Sequence, residues 1–530
     1  MEGAGLGQQM RGEVVMMDAD VSVRDLRAEA PAVRVVMPED LAQVGEELAA
    51  YHAHYAPYFA RREQRAWAEV YLRGLLVADV PRKNTEALAL RLLGAGPHAG
   101  RQVRALQQFI GEGAWDDDAL LAEHRRLVDA SLGEEEGVLI VDGSEVAKRG
   151  AHSVGVARQW CGSTGKTDNC QAGVYLGYAS RRGYTLLDRR LYLPKTWFAQ
   201  DHQARWKACA IPATVRFATK TELAAQMVEH LRQAGTLRAR WLTCDEWYGR
   251  HAAFLDRVAT TGLWYLAEVP TDTAVWPLSD PATGAPSRRP QQAVPPRAAS
   301  GKGRRPTKER LTPESPPPVR VDLLAAQMPP TRWQRYRITE GAKGPLVADF
   351  VALRAVATRA GLPGPEVWVL LRRAVLEDPD AVPPLKIYLS CAPVQTPLAA
   401  LVRVCGLRWP IERCFEEGKG ELGLDHYELR FWRGWHHHMT LVILAHHFLV
   451  LLHHRVGQRG GGHSRPAAAA PGHPSGGSGR APTRPPASQP GPSPSSARGD
   501  LAAAPARPAR RPGPSRLSAA AQTGRLSLAS

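Results

Sequence analysis

The chain has 530 residues with 48 Gly and 43 Pro, too long for one ordinary domain and too rich in chain breakers for a single compact unit, so two or three units are expected. Its formal charge of +16 is concentrated: residues 457–530 carry +9 and residues 277–320 carry +6, leaving +1 for the remainder, so net charge alone is weak support for a DNA-binding surface. Seven Cys stand singly at 161, 170, 209, 244, 391, 405 and 414, with no C-x-x-C pair, which fits a reducing cytoplasm and gives no zinc ribbon or disulfide framework. No basic n-region followed by an apolar segment opens the chain, so no secretory signal is read. The most apolar run, residues 441–452, contains His446 and His447 and falls well short of the roughly 20 residues that span a bilayer, so a membrane protein is excluded.

Residues 1–37 read as a flexible N-terminus. From 38 to 136, Leu41, Val44, Leu48, then Trp67, Val70, Tyr71, Leu75, then Leu88 and Leu92 recur at three- and four-residue intervals, which predicts a helical domain. The period changes at Val138-Leu-Ile-Val141, a continuous apolar run expected of a strand buried on both faces and ended by Asp142. Residues 172–193 predict a hairpin turning at Ser180-Arg-Arg-Gly183. Thr221 is read as the cap of a helix to about Ala234, residues 241–244 as a strand leading to Asp245, then a helix near 251–260 and a strand at 264–269. This order, over 137–276, predicts the first part of a mixed α/β core.

Residues 277–320 form a Pro- and Arg-rich segment expected to be a disordered linker. Apolar runs at 333–338, 346–355, 367–372 and 385–389 predict a β-rich insertion over 321–395, and helices are expected again over 396–456, with Thr396 as a cap before Pro397. Residues 457–530, rich in Ala, Pro, Gly, Ser and Arg and poor in large apolar residues, are read as a disordered tail, with a composition that suggests a shifted reading frame in GC-rich DNA.

Three carboxylates stand out by position. Asp142 and Asp245 follow two strands and Glu412 lies on a late helix, so the three can converge at one sheet edge and hold two Mg²⁺ or Mn²⁺ ions. Such ions would activate a water or a 3′-hydroxyl and neutralise the leaving oxygen in attack on a DNA phosphate. Glu412, Glu416 and Lys419 share a helix face with Arg408 one turn upstream, an arrangement in which the acid takes metal and the cations take phosphate oxygens. On spacing alone, an amphipathic helix with i,i+4 ion pairs is the favoured reading. Lys148, Arg149 and Arg158 follow Asp142 and are candidate phosphate ligands, with surface charge as the alternative, and Trp247 is a candidate to stack on an unpaired base. The His436-His-His438, His446/His447 and His453/His454 groups lack acidic or Cys partners at ligand spacing and are read as polar helix edges or DNA-facing residues. Asp188, before Arg189-Arg190, is read as an ion-pair partner.

These residues resemble a known family. Arg408, Glu412 and Lys419 match the R, E and K of the Y-x2-R-x3-E-x6-K signature of a large group of bacterial insertion-sequence transposases, members of the DDE superfamily of endonucleases with an RNase H-like core. The segment from Val141 to Gln159 looks like the first-Asp block, Leu187 to Pro194 the strand that follows, Cys244-Asp-Glu-Trp-Tyr-Gly249 the second-Asp block, and Gly420 to Glu428 with Trp435 to Leu441 the end of the third. The resemblance covers roughly residues 40 to 455, and the separations of 103 and 167 residues between the three acids leave room for an insertion before Glu412. It departs from the pattern where the signature Tyr falls on Cys405 and where His437 stands in place of Arg.

The resemblance implies a DDE transposase with an RNase H-like mixed-sheet core. Asp142, Asp245 and Glu412 would be its Mg²⁺- or Mn²⁺-binding catalytic triad, and Arg408 and Lys419 its phosphate contacts. It would cut double-stranded DNA at terminal inverted repeats and join the ends to target DNA, as a homo-oligomer, in the bacterial cytoplasm at the nucleoid. The helical N-terminal domain would recognise the DNA ends. The alternatives are an RNase H-like nuclease without strand transfer and an inactive DNA-binding remnant.

Overall fold

A computed structural model describes residues 43–295, 307–341, 344–376 and 384–460, so the expected flexible N-terminus and nearly all of the expected tail lie outside the described residues. Five helices open it: α1 (Val44–Tyr55), α2 (Arg62–Leu76), α3 (Thr85–Leu93), α4 (Ala99–Gly111) and α5 (Asp117–Leu132). Asn84 caps α3 by accepting from the Ala87 amide at 2.9 Å, and Asp116 caps α5 by accepting from the Asp118 and Ala119 amides.

The sheet begins with β1 (Val138–Ala147), β2 (Ala157–Cys161), β3 (Lys166–Ser180) and β4 (Gly183–Tyr192). The expected hairpin is present, with Arg181 and Arg182 between the strands and Gly183 at a φ of 139°, a region open to glycine. After α6 (Gln203–Ala208) comes α7 (Lys220–Ala234), which is capped by Thr219 rather than Thr221. Thr219 and Glu222 form a reciprocal capping box, the glutamate accepting from the Thr219 amide at 2.7 Å. Then follow β5 (Trp241–Cys244), α8 (Glu246–Gly249), α9 (Ala252–Thr260) and β6 (Trp264–Val269).

Strands β1, β5 and β6 are parallel neighbours, and β3 lies antiparallel on the other side of β1 with β4 and β2 sharing its far edge. This is the mixed α/β sheet expected of the RNase H-like core. Its central strand is buried on both faces in strict alternation: Val138 and Ile140 enter one core cluster with α13, Leu139 and Val141 the other with α7.

The Pro- and Arg-rich segment is not without structure on either side of residues 296–306. β7 (Ala274–Pro277) pairs with β10 (Val319–Arg320), β8 (Gln292–Ala293) pairs with β9 (Arg310–Leu311), and Trp276 donates its indole N–H to the Pro316 carbonyl at 2.8 Å. Proline suits such short edge pairings because it needs no ladder donor on its outer side. Nor does the β-rich region stand apart. After α10 (Val321–Ala326), β11 (Gln334–Gly341), β12 (Gly344–Arg359), β13 (Leu362–Ala374) and β14 (Leu385–Ser390) extend the same sheet, β14 pairing antiparallel with β6. Twelve strands of the described residues thus form one sheet.

Helices α11 (Leu398–Gly406), α12 (Pro410–Gly420) and α13 (Trp432–Gly460) complete the chain as described. Of the α13 histidines, His436, His437, His438, His446 and His447 are buried, not DNA-facing as expected from their polarity, while His453 is exposed and His454 half-buried. His437 stacks on Trp115 and lies between the carbonyls of Ile110 and Trp115; His438 meets Tyr71 and the Gly423 carbonyl; His446 meets Thr185 and Glu417; His447 meets Tyr51 and Ser131. Imidazole supplies bonds to both sides of a buried helix, so α13 joins the N-terminal helices and the sheet in one core.

Burial holds His124, His436 and His438 down at about 4 and His437 at about 3. The unfolded chain takes up these protons near pH 6.5 and the folded chain does not, so this contribution to stability is intact above pH 6.5 and is lost as pH falls toward 4. Thermal unfolding followed between pH 8 and 4 is expected to show the midpoint falling over this window.

Candidate active site

The last parallel pair between β1 and β5 is Val141 with Cys244, and the next residue on each strand is an aspartate. Asp142 does not end its strand, as the sequence suggested. β1 continues to Ala147 because its antiparallel partner β3 continues, pairing Asp142 with Tyr175. It is β5 that stops: Asp245 leaves the sheet and caps α8, accepting from the Tyr248 amide at 3.0 Å. Asp142 therefore sits at the split where one neighbour departs, its carboxylate accepting from the Gly143 amide at 2.7 Å. Burial first, and then the Asp245 charge, push the Asp142 carboxyl up to about 7; burial also raises Asp245.

Glu412 arrives on α12. Pro410 supplies a preset first turn, and Ile411, Cys414, Phe415 and Gly418 form the buried face. Ile411 seats against Gly177 of β3, where an added Cβ would lie 3.2 Å from the Ile411 Cδ1 atom. From the other side, Glu417 accepts from the Tyr184 hydroxyl at 2.7 Å and pairs with His446 at 3.0 Å. Between these supports Glu412 is half-exposed, close enough to Asp142 to raise its pKa further, and paired with Arg408 Nη2 at 2.6 Å. Arg408 also draws Asp142 and Asp245 downward.

Among the other sequence candidates, Arg149 and Arg158 are exposed and Lys419 is half-buried with no ion-pair partner among the described residues. Lys148 turns inward: its ammonium donates to the Tyr427 carbonyl, lies 5.0 Å from the Tyr427 ring, and is held down at about 8 by burial. Trp247 is 42% exposed beside Asp245, with the Lys220 ammonium 5.7 Å from its ring and paired to Glu145 at 3.0 Å. Asp188 pairs with Arg190 at 2.6 Å inside a buried cluster with Arg125 and Arg189, in keeping with the ion-pair reading. Cys405, at the signature Tyr position, is buried against Tyr388, whose phenol reaches it from β14.

Two residues were missed from sequence. Glu268 stands on β6 just after Ala267, the partner of Cys244, so Asp142, Asp245 and Glu268 each come one residue past the last paired row of the three parallel strands. A strand-end rule applied to β6 with its register would have found it. The Tyr248 hydroxyl is buried with no hydrogen-bond partner, 4.0 Å from where a Gly143 side chain would begin, and raised far above its ordinary range by burial and both aspartates.

No group of three His, Cys, Asp or Glu among the described residues already adopts a metal-binding arrangement, and Glu412 is engaged by Arg408. The donor set nevertheless fits a hard divalent cation: two half-buried carboxylates on rigid supports, each destabilised in its charged form, with a third on the facing helix.

A mixed sheet thus brings two aspartates together at a strand split, with a helical glutamate and an arginine close by. The chain belongs to the DDE superfamily endonucleases, which it matches over residues 54–345. That span holds Asp142, Asp245 and Glu268; Arg408, Glu412 and Lys419 lie beyond it. No curated protein matches the chain. Membership implies DNA as substrate and its cleavage as the reaction. No helix among the described residues is long and apolar enough to cross a membrane.

Proposed function

We propose that this chain is a DDE-type transposase that cuts double-stranded DNA at the ends of an insertion sequence and joins them to target DNA. The observation that supports it most is the placement of Asp142 and Asp245 directly after the last paired residues of β1 and β5, Val141 and Cys244, with Glu412 brought near them on α12. Asp142, Asp245 and Glu412 would hold Mg²⁺ or Mn²⁺. When bound, the metal supplies activation of the attacking oxygen and neutralisation of the leaving one.

The chain's own residues supply position and charge. The two aspartates are fixed by strand and cap, so their spacing costs no reorganisation. Arg408 and Lys419 meet phosphate oxygens, Arg149 and Arg158 extend this cationic track, and Trp247 offers a face for an unpaired base. Lys148 braces the Tyr427 segment in the same reading. The helices of residues 38–136 recognise the DNA ends, and a homo-oligomer bridges two ends at the nucleoid.

Incubating a linear duplex that carries the element's own end with Mg²⁺ tests this reading. Wild-type protein is expected to nick at the end and, given target DNA, to yield joined products, while Glu412→Ala binds without nicking. Nicking with no joined product would leave a nuclease and contradict strand transfer.

A further inference from the structure

Arg408 is charged, mostly buried, and has two acidic neighbours on different elements. Its Nη2 atom is 2.6 Å from Glu412 on α12, and its Nε atom is 3.9 Å from Glu268 on β6. Glu268 has only 12% of its side chain exposed and is itself fixed by Lys386 of β14 at 2.9 Å. Lys386 is 45% exposed, so water shares its charge, while Arg408, at 19%, depends on protein partners.

The consequence concerns Glu412. If it is to serve as a ligand it must turn from Arg408 toward the aspartates, and a mostly buried guanidinium that gives up its nearest carboxylate loses much of its compensating charge just as the metal claims the aspartates too. Glu268 removes that obstacle, because it follows the same last row of paired strand residues as Asp142 and Asp245 and already faces Arg408.

Resting on the metal-site reading above, we propose that Glu268 is a positioning residue: it is the alternative partner that keeps Arg408 neutralised when Glu412 is given up to a divalent cation. Glu268 touches neither metal nor DNA in this role. It lowers the cost of freeing Glu412, and its effect must therefore run through Arg408.

Binding of Mn²⁺ alone to the full chain, read from the free-ion electron paramagnetic resonance signal without DNA, tests this directly. Glu268→Gln is expected to weaken Mn²⁺ binding about tenfold, equivalent to about 1.4 kcal/mol, with an unchanged thermal midpoint. The double variant Glu268→Gln with Arg408→Gln is expected to regain most of the lost affinity, because Glu412 then has no cation to abandon. Unchanged affinity in Glu268→Gln overturns the proposal. So does a double variant as weak as the single one, since Glu268 would then act as a ligand or as part of the fold. Wild-type protein that binds no Mn²⁺ overturns the metal-site reading itself, and the proposal with it.

Discussion

Asp142→Asn is expected to lower DNA cleavage about 10³-fold or more while making the metal-free protein more stable at neutral and alkaline pH. The substitution keeps shape and the acceptor for the Gly143 amide, and removes one of two carboxylates that burial and mutual repulsion hold in an unfavourable charged form. The sign follows from the proton count. With a carboxyl at about 7 in the folded chain and an ordinary value near 4 when unfolded, the folded state binds the extra proton between these values. Stability from this group is therefore highest in acid and falls as pH rises from 4 to 7, opposite in sign to the buried histidines. Comparing variant with wild type cancels the histidine contribution. The difference in unfolding free energy should be near zero at pH 4 and should favour the variant, by on the order of 2 kcal/mol, at pH 8. A variant less stable than wild type at pH 8 would show that Asp142 is held by favourable contacts instead.

Gly249→Ala is expected to damage both fold and activity. Gly249 closes the short helix that Asp245 caps, and an added Cβ would fall far inside contact distance of the Glu268 carbonyl oxygen, with the Ala267 Cβ atom 3.4 Å away. Backbone on a central strand cannot yield, so α8 must lift from β6 and carry the Asp245 cap with it. Overpacking of this kind costs about 2–3 kcal/mol. Chemical denaturation should show that loss, and nicking should fall with it. Gly177→Ala is the milder companion, because Ile411 can give way by a few tenths of an ångström, so α12 shifts slightly and stability falls by less. If Gly249→Ala were as stable as wild type, the close packing of α8 on β6 would be wrong.

These two positions show what could be read in advance. Val138 to Val141 read as a buried strand because neighbours on both faces require continuous apolar residues, and Asp142 marks where β5 leaves that strand rather than where the strand stops. β5 and β6 were legible to the residue for the same reason. The length of β1 was not, since it depends on a β3 partner about 30 residues away rather than on its own pattern. Glu268 was hidden because a lone acid in a strand reads as an outward residue until register places it beside Asp245. The histidines misled for a related reason: their partners on α4, α5, β4 and the N-terminal helices are distant in sequence, so polarity suggested solvent where the fold supplies hydrogen bonds. Within the Pro-rich segment, β10 was likewise set by its partner β7, itself held by β12, and β8 and β9 by each other across residues 294–309, not by local composition.

The central claim is that Asp142, Asp245 and Glu412 form one metal-dependent DNA-cleaving centre. Nicking of supercoiled plasmid in Mg²⁺ and in Mn²⁺, compared among wild type, Asp142→Ala, Asp245→Ala and Glu412→Ala with DNA binding measured in parallel, tests it most directly. Nicking by wild type that requires the metal and disappears in each variant while binding persists is the expected result. Cleavage that survives all three substitutions would contradict it.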